Sequence, residues 1–208
     1  MARGLFITLE GGEGVGKSTL ARGLVARLEA RGRAVLQTRE PGGTPGAEAI
    51  RALLVNGPVD RWGPAAEALL MSAARADHVA RAIGPALEAG RDVVCDRFAD
   101  STMAYQGLAG GLGVEAADAL AQVATGGLAP DLTLILDLDP AVGLSRAAAR
   151  RAGEDRFEAK GIAFHTALRD AFRTIAAQAP QRCVLIDAGE PPEAVLARAW
   201  AAVTVRLP

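Results

Sequence analysis

Lysine is almost absent from this chain: Lys17 and Lys160 are the only two among 23 basic residues, the rest being arginine. Cysteine and histidine are as scarce, with Cys95, Cys183, His78 and His165 the whole complement. Two thiols, each inside an apolar run, make neither a disulfide framework nor a metal cluster. They read as buried, reduced side chains, which favours a cytoplasmic setting. Two isolated histidines exclude a zinc cluster and a Ser/His/Asp triad, and both are expected at the surface or in helix packing. Net charge is also missing, since 23 basic residues meet 24 acidic ones. Without a net field, neither nucleic acid nor an acidic membrane is an expected partner. Long apolar runs are lacking too. The stretch 5–9 stops at Glu10, too short for a secretory core, and no uncharged run approaches the ~20 residues of a membrane span.

What remains is a chain of 208 residues, half of them apolar, enough for one sizeable core. A single domain over 1–208 is expected. Five short apolar runs recur at 5–9, 34–38, 92–96, 132–138 and 183–187. They do not alternate, and alanine-rich helical sequence separates them. Strands covered on both faces have this pattern, so the expected fold class is α/β, with a parallel sheet flanked by helices on both faces. The helical candidates are 17–31, 45–55, 64–89, 114–124, 140–152, 161–178 and 191–205.

Between the first run and the first helix lies Gly11-Gly12-Glu13-Gly14-Val15-Gly16-Lys17-Ser18, followed by Thr19. This is G-x-x-x-x-G-K-[ST] in the strand–turn–helix context that its mechanism needs. Glycines let successive N–H groups turn toward an anion, and the helix N-terminus adds its partial positive charge. Lys17 reaches the β/γ-phosphates in such a loop, and Ser18 ligates Mg²⁺, which prefers oxygen donors. One of two lysines stands where the motif demands it. The segment 11–19 is therefore read as an ATP-binding site of the P-loop kind.

A second carboxylate is needed near the metal. Asp96, at the end of the third run, and Asp137 or Asp139, at the end of the fourth, both fit an apolar-run-plus-Asp pattern. Arg97 favours Asp96, because a guanidinium beside the metal site can bridge two phosphates bidentately. Farther on, Arg146, Arg150, Arg151 and Arg156 form a basic run with a glycine break at 153. It reads either as a lid that closes over ATP, over about 143–157, or as a solvated helix face.

Four separated segments resemble the bacterial thymidylate kinase family. They are the Glu-containing P-loop, Arg39-Glu40-Pro41-Gly42-Gly43-Thr44, Ala74-Arg75 with His78, and Asp96-Arg97-Phe98 running through Ser101-Thr102 to Ala104-Tyr105-Gln106-Gly107. The resemblance implies a five-stranded parallel P-loop fold, a homodimer, and transfer of the γ-phosphoryl group of ATP to dTMP with Mg²⁺. By position it puts Glu13 and Glu40 near the deoxyribose and its phosphate, and Arg51 and Arg97 on the acceptor phosphate. Arg75 would donate to thymine O4. Ser101, Thr102 and Gln106 would line the base pocket, within an acceptor region of about 40–75 and the helix around 99–106. Tyr105 falls where the family has an aromatic under the sugar, disfavouring a ribose 2′-hydroxyl. Because this subtype lacks a P-loop arginine, Arg150 or Arg151 would supply one from the lid. One departure is Met71, where the family usually stacks a phenylalanine on thymine. It keeps open a kinase for another pyrimidine monophosphate, such as dUMP or UMP. A nucleotide-driven switch has less support, since neither lysine stands in a guanine-reading N-K-x-D motif.

Overall fold

The computed structural model describes residues 3–150 and 156–207, with Arg150 by its backbone alone. Its strands are β1 (Phe6–Glu10), β2 (Val35–Arg39), β3 (Asp92–Asp96), β4 (Leu132–Asp137) and β5 (Cys183–Asp187). They form one parallel sheet in the order β2-β3-β1-β4-β5. Every expected apolar run is a strand, displaced by at most one residue. The runs lack alternation because helices cover both faces. On β4, Leu132, Leu134 and Leu136 join a cluster with Leu20, Leu24 and Val203, whereas Ile135 joins Leu168 and Phe172 on the other side. On β3, Val94 faces the first cluster, and Val93 and Cys95 pack with Phe6 and Phe98. Thr8 and Thr133 are buried across β1 and β4 with their hydroxyls 2.9 Å apart, so neither leaves a buried polar group unpaired.

The helices are α1 (Lys17–Glu29), α2 (Pro45–Val55), α3 (Pro64–His78), α4 (Gly84–Glu88), α5 (Ala99–Thr102), α6 (Val114–Thr125), α7 (Pro140–Arg150), α8 (Ile162–Gln178) and α9 (Pro192–Thr204). No helix among the described residues is long and apolar enough to cross a membrane. Both cysteines are buried and free. Two features depart from expectation. The helix expected over 64–89 is interrupted by a π-helical turn at Val79–Ile83, where the Gly84 N–H reaches back five residues to Val79. Pro85 explains the widening, because it cannot donate to the preceding turn and its ring crowds the carbonyl four residues back. Periodicity also does not mark α5, which runs into a π-helical segment at Met103–Leu108. That stretch is too short, and too polar on one side, to show a helical stripe.

Strand register positions the site. Leu9 of β1 and Arg39 of β2 are both level with Asp96 of β3. The turns that follow these three strands therefore open at one edge, beyond the strand C-termini, where parallel sheets hold ligands.

Candidate active site

The first of these turns is the P-loop. Gly11 (φ 128°), Gly14 (φ 67°) and Gly16 (φ 99°) adopt left-handed conformations that a side chain would strain. Gly14 also lies against the backbone of Gly143 in α7, and a methyl group on either residue would collide with the other segment. Gly16 offers α1 no side-chain cap. The first N–H groups of that helix are thus available to an anion rather than spent on a cap. By contrast α2 is closed off by Thr44, whose hydroxyl accepts from the Ala47 N–H. Val15 is buried in the core beneath the loop, while Ser18 and Thr19 are exposed.

Lys17 is buried and donates to the carbonyls of Gly12 (2.7 Å) and Gly11 (3.2 Å). Burial and then the neighbouring Arg97 lower its pKa to about 8, against the raising effect of Glu13, Asp96 and Glu10. The Ser18 hydroxyl donates to the Asp96 carboxylate at 2.8 Å. Asp137 is not its equivalent: both of its oxygens are held by Arg169 and Arg173. Asp139 caps α7 through the N–H groups of Ala141 and Val142. Of the three aspartates, Asp96 is the one that faces the P-loop hydroxyl.

Arg97 sits in the turn after β3 with φ 72°. Its guanidinium donates to Glu13 (3.0 Å), to the Gly11 carbonyl (2.9 Å) and to Ser101 (3.2 Å), and lies 4.9 Å from the centre of the Tyr105 ring. The Tyr105 hydroxyl donates to the same Glu13 oxygen at 2.7 Å. Burial would raise the pKa of Glu13, but Arg97 and Lys17 outweigh it and hold the carboxyl at about 2. For Arg97, burial is overcome by Tyr105, Glu13 and Asp96, so its pKa rises and the group stays charged. Tyr105 itself is raised by burial and stays a neutral phenol. Phe157, Phe164 and Phe172 pack around its ring at centroid distances of 5.7–6.3 Å.

The other half of the site is a buried network built on Glu40. Arg75 donates to Glu40 (2.7 Å), to the Thr102 hydroxyl (3.0 Å) and to the Phe98 carbonyl (2.9 Å). At 2% exposure it is no solvated helix residue. His78 lies 3.1 Å from the second Glu40 oxygen and 2.7 Å from Thr38. Gln106 donates to Glu67 (2.7 Å), and Arg51 donates to the Pro41 carbonyl (2.8 Å). One cavity of about 310 Å³ is lined by the P-loop residues Glu13, Gly14, Val15, Gly16, Lys17 and Ser18. It is lined as well by Glu40, Arg51, Met71, Arg75, Asp96, Arg97, Ser101, Thr102, Tyr105 and Gln106. Gly11, Gly12 and Thr19 lie in the same loop and helix start, outside that lining.

Some expectations need correction. Of the two settings expected for the histidines, the surface is the wrong one and helix packing the right one: His78 on α3 is fully buried in the Glu40 network, and His165 is buried at the first turn of α8. Two arginines of the basic run have their described partners away from the P-loop. Arg146 donates to the Ala188 carbonyl. Arg156 is buried against Glu67 at 2.6 Å and donates to the carbonyls of Leu54, Pro58 and Val59. Arg151 lies outside the described residues, and of Arg150 only the helical backbone is described. Sequence reasoning missed Glu67, which gathers Gln106, Arg156 and Lys160, and Phe157 and Glu158, which line the cavity. A single glutamate among the alanines and leucines of α3 was the available signal for Glu67.

A parallel sheet with a P-loop after its central strand, an oxygen pair at Ser18 and Asp96, and an arginine-lined pocket facing both define a P-loop phosphotransferase. The profile of the family described as Thymidylate kinase matches residues 9–199. A thymidylate kinase of Caulobacter vibrioides is 56% identical over 207 residues, covering 100% of this chain and 99% of its own length. One from Rhodopseudomonas palustris is 57% identical over 208 residues, 99% of this chain and 90% of its own. One from Rhizorhabdus wittichii is 56% identical over 206 residues, 99% of each. The chain belongs to the thymidylate kinase family.

Proposed function

We infer that this chain transfers the γ-phosphoryl group of ATP to the phosphate of dTMP, giving dTDP and ADP. The observation that carries the reading is one cavity lined both by Lys17 and Ser18 and by Arg75, Thr102 and Gln106, with Arg97 bonded to the P-loop and to Ser101 alike. A donor phosphate chain and an acceptor nucleotide can then meet in line. The P-loop N–H groups and Lys17 hold the β- and γ-phosphates, which replace the Gly11 and Gly12 carbonyls as partners of the ammonium group. The anion also favours the protonated lysine. Ser18 and Asp96 form an all-oxygen donor pair that suits Mg²⁺, and the bound ion supplies neutralising charge for the phosphate oxygens. Arg97 is held by Glu13 and Tyr105 before any ligand arrives, so its charge is preorganised toward the phosphates. Arg51 holds the acceptor phosphate.

At the base end, three contacts orient Arg75, whose five N–H bonds exceed them, so it can also meet the thymine carbonyl. Ser101, Thr102 and Gln106 complete the base pocket, with Met71 against the ring. The Tyr105 ring, wedged among three phenylalanines, is a rigid floor under the sugar. Coupled ADP release across dTMP, dUMP, UMP, CMP and AMP tests the assignment. dTMP should give the highest rate, and an equal rate with a ribonucleotide would overturn it.

Arg150 and Arg151 supply the lid charge in this reading, with the acceptor region (about 40–75) and the lid (about 143–157) as parts of one domain. Changing both arginines to alanine should lower kcat by ~10²-fold or more, as expected for a lost electrostatic contact in the transition state. A near-wild-type kcat removes them from the mechanism. The protein acts in the cytoplasm, consistent with two free buried thiols. It acts as a homodimer, for which exposed Leu53 on α2, Leu69 on α3 and Val123 on α6 offer apolar surface. Sedimentation equilibrium at micromolar protein should return twice the chain mass; the mass of one chain would reject the dimer.

A further inference from the structure

Arg97 occupies a left-handed backbone conformation that is unfavourable for a long side chain, and it persists only because the bonds around it are fixed. The Arg97 N–H donates to the Leu9 carbonyl at 2.9 Å, and the Cys95 thiol donates to the Arg97 carbonyl at 3.0 Å. The next residue is tied to a side chain. The Phe98 N–H donates to one oxygen of Glu10 at 2.8 Å, and the Ser101 hydroxyl donates to the other at 2.6 Å. Ser101 in turn accepts from Arg97. Glu10 is fully buried at the end of β1, and the carbonyl of the next residue, Gly11, accepts from Arg97 as well. One carboxylate thus fastens the turn behind Arg97, the hydroxyl beside its guanidinium and the start of the P-loop.

We propose that Glu10 is a positioning residue for phosphoryl transfer, its carboxylate holding the Arg97 turn and the Ser101 hydroxyl in alignment with the P-loop. This rests on the reading of Arg97 given under the proposed function. A turn could be held without burying a charge, and a buried charge is costly. Its use is the ionised form, in which both oxygens accept and the two cations nearby, Arg97 and Lys17, are balanced. Protonation makes one oxygen a donor, obliges Ser101 to reorient and removes that balance. The groups acting with Glu10 on its surroundings are Asp100 in α5, Arg97 and Lys17 at the phosphate edge, Cys95 on β3, and Arg182 and Cys183 at the start of β5. Burial and then Asp100 push Glu10 up to about 7, against the bonds from Ser101 and Phe98 and the charge of Arg97. The alignment is therefore present above neutral pH and lost as pH falls through about 7.

The test compares Glu10→Gln with the wild type as kcat/KM for dTMP from pH 6 to 8.5 at saturating Mg·ATP. Glutamine keeps the shape and an acceptor for Phe98 but never carries the charge. The ionisations of dTMP and ATP cancel in the ratio of the two enzymes. The ratio should be about one-tenth or less at pH 8 and should climb toward one at pH 6, where the wild type has lost the same charge. A merely structural glutamate gives a ratio that does not vary with pH, and that result, or full activity at pH 8, overturns the proposal. Asp100→Asn is the second variant. It removes a raising charge, so the acid fall in kcat/KM should move to lower pH than in the wild type. If Glu10→Gln fails to fold by circular dichroism, an unmoved Asp100→Asn profile overturns the proposal on its own. A wild type without dTMP-dependent ADP release defeats the underlying reading instead, which the same plate records.

Discussion

Glu13 shows how one side chain can set two others. Its carboxylate accepts from both Arg97 and Tyr105, so the guanidinium and the phenol are locked against each other across the cavity. If Tyr105 is the floor under the sugar, truncating it opens room for a 2′-hydroxyl. Tyr105→Ala should raise UMP turnover relative to dTMP, measured as the ratio of kcat/KM values, and an unchanged ratio would remove the residue from sugar selection. Lys17 should be less forgiving. Its ammonium group has main-chain carbonyls as partners until a polyphosphate supplies anionic ones, so Lys17→Ala should lower kcat by about 10²- to 10³-fold. The variant should keep the wild-type circular dichroism spectrum, since among the described residues the hydrogen bonds lost are those to two loop carbonyls. Conversion of dTMP at the wild-type rate would contradict the P-loop assignment itself.

Elements meet at the site through contacts that sequence pattern reveals unequally. The strands were legible because burial on both faces leaves an unmistakable run of apolar residues, and the P-loop because its glycines have backbone reasons to be there. Asp96 was legible only with Arg97 beside it. Asp137 ends the same kind of run but is neutralised by α8 arginines 32 and 36 residues away, which no local pattern shows. Arg156 misled for the same reason: within a basic run it looks like its neighbours, yet it is buried between α3, the end of α2 and the connection that joins them. That clasp makes a prediction at this scale. Arg156→Ala leaves Glu67 buried with Lys160 as its remaining cation among the described residues, and breaking one side of a buried pair costs about 3–5 kcal/mol. Urea unfolding should show a loss of that order. The KM for dTMP should rise, because Gln106, which lines the cavity and is proposed for the base pocket, is held by the same Glu67. A stability change below about 1 kcal/mol would mean that the clasp is only a surface contact.

For the molecule as a whole, the site places two carboxyls with opposite displacements in one fold, and their linkage to folding has opposite signs. Glu13, held at about 2, contributes stability that is present above the ordinary carboxyl value of 4.5 and is lost as pH falls through about 2. Glu10, pushed up to about 7, contributes stability that is present below 4.5 and is lost as pH rises through about 7. The first anchors the cation pair, whereas the second carries a charge that folding alone disfavours. Replacing each by glutamine should therefore tilt the stability profile in opposite directions. Followed by thermal unfolding, Glu10→Gln should gain on the wild type between pH 5 and pH 7 and hold that gain at pH 8. Glu13→Gln should lie below the wild type at pH 7 and close that gap toward pH 3. Parallel profiles for Glu10→Gln and the wild type would mean that Glu10 titrates alike folded and unfolded. A Tm gain at pH 8 together with a loss of dTMP turnover at the same pH would show stability given up at one residue for the alignment of Arg97.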